Sequence, residues 1–155
     1  MNKYIVMATL LLAVHTGFAQ ETVKRNSIYA EFGGPAGLYS LNADRIVWAP
    51  LPWLKVAPGI GLSVYNNTVA DFPIHISALL GPKSHHFELG LGAEPEFYWN
   101  KKYSSEYQTI YFGKIGYRYQ QMQGGLQFQF AVTPMYYAGS DWNTGWFSLA
   151  LGYAF

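Results

Sequence analysis

From residue 28 onward, almost every stretch between Gly, Pro and Asn punctuation alternates a bulky apolar residue with a small or polar one. That two-residue period is the signature of β-strands, and no stretch sustains a helical period. In one block Phe87, Leu89, Leu91 and Ala93 share a face, and Glu88, Gly90, Gly92 and Glu94 share the other. In the next, Tyr111, Ile115, Tyr117 and Tyr119 oppose Lys114, Gly116 and Arg118. Leu126, Phe128, Phe130 and Val132 oppose Gln127, Gln129, Ala131 and Thr133. Phe147, Leu149, Leu151, Tyr153 and Phe155 oppose Ser148, Ala150, Gly152 and Ala154. An earlier block sets Phe72, Ile74, Ile76 and Ala78 against His75 and Ser77.

About eight strands follow from this pattern, near 28–34, 38–48, 54–64, 71–80, 86–94, 109–119, 126–135 and 145–155. Strands of about 9–11 residues are long enough to cross a bilayer at a tilt. The connections at Pro50, Leu51 and Pro52, at 81–84, and at 122–124 read as tight turns. The connection over 95–108 reads as a long loop, and 136–144 as a polar and aromatic one. The expected fold is all-β, an eight-stranded antiparallel up-and-down transmembrane β-barrel. Pro58 and Pro134 fall in or near strands, where a missing N–H interrupts a ladder, so they are expected at bulges or strand ends.

Charge decides which face points inward. Only 12% of residues are charged and 50% are hydrophobic. A soluble surface carries about 25–35% charged residues. The charges within strands are Glu31, Asp44, Glu88 and Glu94 against Lys55, Lys114 and Arg118, and they share faces with Gly, Ala, Ser and Gln. An eight-stranded barrel has an interior just wide enough for side chains to fill. A Lys or Arg on a lipid face costs about 2–4 kcal/mol at mid-membrane. We therefore place Glu31, Asp44, Lys55, His75, Glu88, Glu94, Lys114, Arg118, Gln127 and Gln129 in a polar lumen network that plugs the barrel rather than opening a pore. The bulky faces then meet lipid. Trp48, Trp53, Tyr119, Tyr153 and Phe155 are expected in one aromatic girdle, and Tyr65, Tyr111, Tyr136, Trp142 and Trp146 in the other. A soluble lipocalin-like carrier has the same strand count but needs its apolar faces turned inward.

The first residues have the layout of an export signal. Lys3 is followed by an apolar run over 4–14, then by small residues at Gly17 and Ala19, which places cleavage before Gln20. The expected organisation is a signal peptide over 1–19, a short periplasmic leader over 20–27 and the barrel over 28–155. No Cys is present, which excludes disulfides, Cys-ligated metal and an acylated N-terminal Cys. A net charge of +1 gives no basic field for nucleic acid.

Several segments resemble small Gram-negative outer-membrane β-barrel proteins of the OmpA/OmpX type: the run from Asn26 to Gly34 with Leu38 to Asn42, the run from His85 to Gly92, and the run from Phe112 to Tyr119. The ending, Leu149 to Phe155, is similar to that family's terminal strand. The resemblance covers nearly all of the mature chain. It implies a multi-pass β-barrel of the cell outer membrane, in contact with membrane lipid and lipopolysaccharide. It also implies that Leu151, Tyr153 and Phe155 are read by the barrel-assembly machinery. It does not specify a physiological role. The larger members carry a further peptidoglycan-binding domain, and a wall-anchoring role is not expected here.

Three features invite chemistry. His75 and Ser77 form a His-x-Ser pair of the kind some outer-membrane lipid A deacylases use, and a His activates a Ser when a third group orients it. The pair sits mid-strand facing the lumen, and the residues after Ser77 do not continue that enzyme pattern. The expected role is structural, with Ser77 satisfied by a neighbour such as Glu88, and no enzyme is expected. A lipid A-modifying enzyme on the same barrel is the alternative. His85 and His86 are adjacent on a strand and point to opposite faces, so they chelate poorly, and an exposed turn is the expected setting. No metal or cofactor is expected. The loop over 95–108 carries Tyr98, Trp99, Lys101, Lys102 and Tyr103, candidates for an extracellular contact whose partner the sequence does not identify.

Overall fold

The computed structural model describes residues 24–65, 69–98, 108–137 and 142–155. They form ten antiparallel strands: β1 (Asn26–Gly33), β2 (Tyr39–Arg45), β3 (Trp48–Leu51), β4 (Leu54–Tyr65), β5 (Val69–Asp71), β6 (Ile74–Leu80), β7 (His85–Tyr98), β8 (Gln108–Gln120), β9 (Gly125–Tyr137) and β10 (Trp142–Ala154). Eight close a barrel in the order β1, β2, β4, β6, β7, β8, β9, β10. β10 pairs back onto β1 from Ser27 opposite Ala154 to Gly33 opposite Ser148. The expected all-β, eight-stranded antiparallel barrel is the fold.

β3 and β5 stand outside the ring of eight. They mark two places where an expected strand is broken. The strand expected over 38–48 ends at Arg45, and pairing resumes at Trp48 in β3, which joins only β4. Pro50 and Leu51 therefore belong to a strand, and the turn falls at Pro52 and Trp53, with Leu51 opposite Leu54. The strand expected over 71–80 is interrupted at Phe72 and Pro73. β5 lies between β4 and β7 along the course of β6. Backbone groups at this break stay satisfied: Gly61 N donates to Pro73 O at 2.7 Å and Phe72 N to Pro95 O at 3.2 Å.

The expected long loop is shorter than 95–108. Residues 95–98 extend β7, with Pro95 opposite Thr109 and Glu96 opposite Gln108. Pro58 and Pro134 both lie inside strands, yet the register around them holds, because each sits beside a ladder break. The β2 pairing of β4 stops at Gly59 and β3 resumes it at Val56. Pro134 falls between separated bridges on both sides, and β10 bulges there between Asn143 and Trp146.

The two faces separate by polarity in the expected direction. Ile60, Ile76, Leu91, Phe130 and Leu151 point outward and are exposed, Leu91 by 71%. Glu31, Asp44, Lys55, Glu88, Lys114 and Arg118 are buried inside. A carrier lined by apolar side chains needs the opposite arrangement. The lumen is nevertheless layered rather than polar throughout. Ile46, Ala57 and Leu79 form an apolar cluster near the end that carries the tight turns. Ile110, Phe112 and Met135, with Tyr137 and Trp146 against them, form a second near the opposite, loop end. The charged layer lies between them. Glycine makes room for its bulkier members: a Cβ on Gly59 would lie 2.5 Å from the His75 ring, and one on Gly92 only 2.3 Å from the Phe112 ring.

Candidate functional site

The charged layer is built on Arg118, which is fully buried. Its Nη2 meets Asp44 Oδ2 at 2.7 Å, and its Nε meets Glu88 Oε2 at 3.0 Å. Nη2 also donates to Glu88 Oε1 at 3.1 Å. β8 and β2 are four strands apart in a ring of eight, so the Arg118–Asp44 bridge crosses the full width of the lumen. Lys114, also on β8, reaches Glu31 of β1 at 3.0 Å and donates to Gln129 at 2.9 Å. The Tyr29 ring lies 5.6 Å from Lys114 Nζ and 5.8 Å from Arg118 Cζ, within cation–π range. Two serines complete the acids: Ser27 donates to Asp44, and Ser77 donates to Glu88 at 2.7 Å. Buried charges are tolerable only when paired, and Glu31, Asp44, Glu88, Lys114 and Arg118 each have an ionic partner in this layer.

His75 is held by Tyr29, whose hydroxyl lies 3.4 Å from its Nε2. Ser77 and His75 share the lumen face, but the Ser77 hydroxyl is directed to Glu88 rather than to His75. Lys55 stands apart from the carboxylates. It donates to Pro52 O at 3.1 Å and Gly81 O at 3.3 Å, and lies 3.2 Å from His86 Nε2. The expectation of an exposed His85–His86 turn is corrected: both lie in β7, with His86 buried and only His85 outside, 2.6 Å from Tyr117 Oη. Gln127 is buried with neither amide atom bonded by protein.

Glu94 also departs from the cation network. Its neighbours are Asp71 and Glu96, and the ligand oxygens of all three lie within 4.8 Å of one another. Sequence reasoning passed over Asp71, although it has the same parity as His75 and Ser77. Asp71 lies past the Pro73 break, in β5, which pairs with β4 on one side and with the end of β7 on the other. There burial first, and the charge of Glu96 second, push its carboxyl up to about 6. The cluster borders a cavity of about 290 Å³ at the loop end, which Pro35, Ala36 and Gly37 also line. The Tyr65 hydroxyl pins that loop by donating to Ala36 O and accepting from Leu38 N at 2.7 Å. A separate cavity of about 840 Å³ opens at the turn end, bordered by Arg25, Lys55 and Lys83. No lining residue is common to both, and the charged layer separates them.

Two expected girdle members are placed elsewhere. Tyr65 turns to the loop just described. Trp146 turns inward against Ile110, Phe112 and Met135, because it shares parity with Ser148. Trp48, Trp53, Tyr153 and Phe155 are exposed at the turn end, and Tyr111 is exposed toward the loop end. Leu151 is exposed on the same face of β10 as Tyr153. Of the loop candidates, Tyr98 ends β7 and donates to Glu96 at 2.7 Å. Trp99, Lys101, Lys102 and Tyr103 lie outside the described residues, as does the expected signal peptide over 1–19.

No family model, curated protein or solved structure matches the chain.

Proposed function

We propose that this chain is an integral outer-membrane β-barrel protein with a structural or surface-interaction role, its lumen plugged by the charged layer. The supporting observation is the inverted polarity of the wall: a continuous outer belt of Leu, Ile, Phe and Tyr around buried ion pairs. In water such a belt is far larger than the few hundred Å² a soluble monomer exposes as an apolar patch. In a bilayer it is the required exterior. β8, β9 and β10 each have 13 residues, enough to span at the usual tilt.

In this reading the turn end faces the periplasm and the loop end faces outward. β5, with the end of β7 beside it, rises above the lipid, and Phe97 and Tyr98 stand at the rim. The wall contacts membrane lipid and lipopolysaccharide, and Leu151, Tyr153 and Phe155 serve as the assembly signal. Ser77 and His75 serve the lumen network, without catalysis. A heat-modifiability gel tests the reading. The expected result is a mobility shift on boiling for protein refolded in detergent micelles and none for protein held in buffer. A compact, monodisperse protein without detergent would overturn it.

A further inference from the structure

We propose that Asp71, Glu94 and Glu96 form a binding site for one hard divalent cation, of the calcium type, at the loop-end mouth of the barrel. The proposal concerns the mouth alone and holds whatever surrounds the wall.

The first observation is spacing. Two oxygens that each sit about 2.3–2.6 Å from a calcium ion are at most about 5 Å apart. Ligand oxygens of the three carboxylates all fall within 4.8 Å of one another. The second is that buried oxygens here lack partners. Asp71 is 3% exposed and Glu94 1% exposed, and Asp71 Oδ1 and Glu94 Oε2 accept no hydrogen bond. The ion pairs among the described residues all go to Glu31, Asp44 and Glu88, so no basic side chain of the described residues balances this cluster. The third is a neutral group in the same condition. Ser63 lies directly opposite Asp71 on β4, on the same lumen face, and its buried hydroxyl is also unpartnered.

Three carboxylates this close repel one another unless a cation or a proton supplies positive charge. Lys114 and Arg118 supply it lower in the lumen, and nothing described supplies it here. The donors are all hard oxygens, with no His or Cys among them, which selects calcium or magnesium over zinc or copper. The cavity beside the cluster has room for several waters, so it leaves space for the remaining ligands of a partly hydrated ion. The Tyr98 hydroxyl holds Glu96 in place, as outer-shell donors do for ligating carboxylates. Bound there, a cation ties β5 to β7 beneath the loop over 34–38.

The test uses the full mature chain refolded in micelles free of lipopolysaccharide and stripped with chelator. Calcium and magnesium are titrated by calorimetry, and thermal unfolding is followed with and without metal. One saturable calcium site per chain is expected, with affinity reduced on the order of tenfold or more in both E94Q and E96Q. Stability separates a site from an idle acidic cluster. At pH 9, where the cluster is ionised, E94Q without metal unfolds above the wild type, because one repelling charge is gone; with calcium the order reverses. Should E94Q fail to refold, E96Q at the half-buried rim gives the same comparison. The proposal is overturned if calcium is not taken up to about 10 mM, above the weak end of protein calcium sites. It is equally overturned if E96Q binds as the wild type does, or if the variants are more stable both with and without metal.

Discussion

Replacing Arg118 by Met gives the sharpest test of the charged layer. The change keeps much of the side chain's volume and removes its charge. It strips both bridges at once, to Asp44 at 2.7 Å and to Glu88 at 3.0 Å, and leaves two fully buried carboxylates facing each other's side of the lumen. Breaking a buried pair by removing one partner costs about 3–5 kcal/mol. Ser27 and Ser77 still donate to the two acids, which keeps the loss within that range rather than doubling it. With a urea slope of about 1–3 kcal/mol per molar, the unfolding midpoint falls by roughly 1–5 M. The assay is urea unfolding in micelles, followed by tryptophan fluorescence and by the folded band on an unboiled gel. The triple change R118M, D44N and E88Q removes the orphaned charges along with the cation, and is expected to regain most of the loss, since neutral replacement of a buried ion pair is often tolerated. A loss below about 1 kcal/mol in R118M, a third of the smallest expected penalty, would refute the reasoning. So would a triple variant no more stable than the single one.

Three further outcomes follow from the wall, the mouth and a close approach. Leu91→Arg, at the most outward-facing wall position, is expected to cost about 2–4 kcal/mol for a barrel in lipid vesicles, against about 0.5 kcal/mol for a surface change in water, both read from urea midpoints. Tyr65→Phe removes both hydrogen bonds to the loop over 34–38 and is expected to cost about 1–2 kcal/mol and to speed amide exchange at Leu38, measured by hydrogen exchange. Gly92→Val is expected to cost about 1–3 kcal/mol or more, because its Cβ would lie 2.6 Å from the Ile74 carbonyl as well as against Phe112. Adding F112A relieves only the ring contact, so refolding yield recovers only in part.

Parity along each strand was legible because a two-residue period leaves no freedom: once Lys114 points inward, so must Arg118, and Ile115 and Tyr117 must point out. Parity does not tell which lumen residues meet. The Asp44–Arg118 contact depends on the stagger of the whole ring, which sets the height of each strand and is absent from any local pattern. For the same reason Glu94 was grouped with the cations by face, whereas its height places it with Asp71 and Glu96. The apolar lumen clusters were also open to a parity reading, since Ile110 and Phe112 share a face with Lys114. They were missed because small and polar residues were expected to fill the lumen. Trp146 was assigned by its distance along the strand, when parity with Ser148 had already turned it inward. The breaks at Val47 and Pro73 are tertiary events: proline marks the second, and nothing local marks the first.

The inward charges also explain why this chain has one register. In the proposed membrane setting, lipid gives little reward for packing the outer wall, so closure rests on the ladders and on the lumen. Shifting β8 by one residue against its neighbours turns every side chain to the other face. Lys114 and Arg118 would then enter lipid together, at about 2–4 kcal/mol each near mid-membrane. Glu31, Asp44 and Glu88 would stay inside without partners. Both cations of the central layer sit on one strand and their acids on three others, β1, β2 and β7. A slip of β8 alone therefore carries the whole penalty, and no compensating slip of a single neighbour restores the pairs. The ion pairs thus contribute less as a source of net stability than as a selection against every other way of closing the same eight strands.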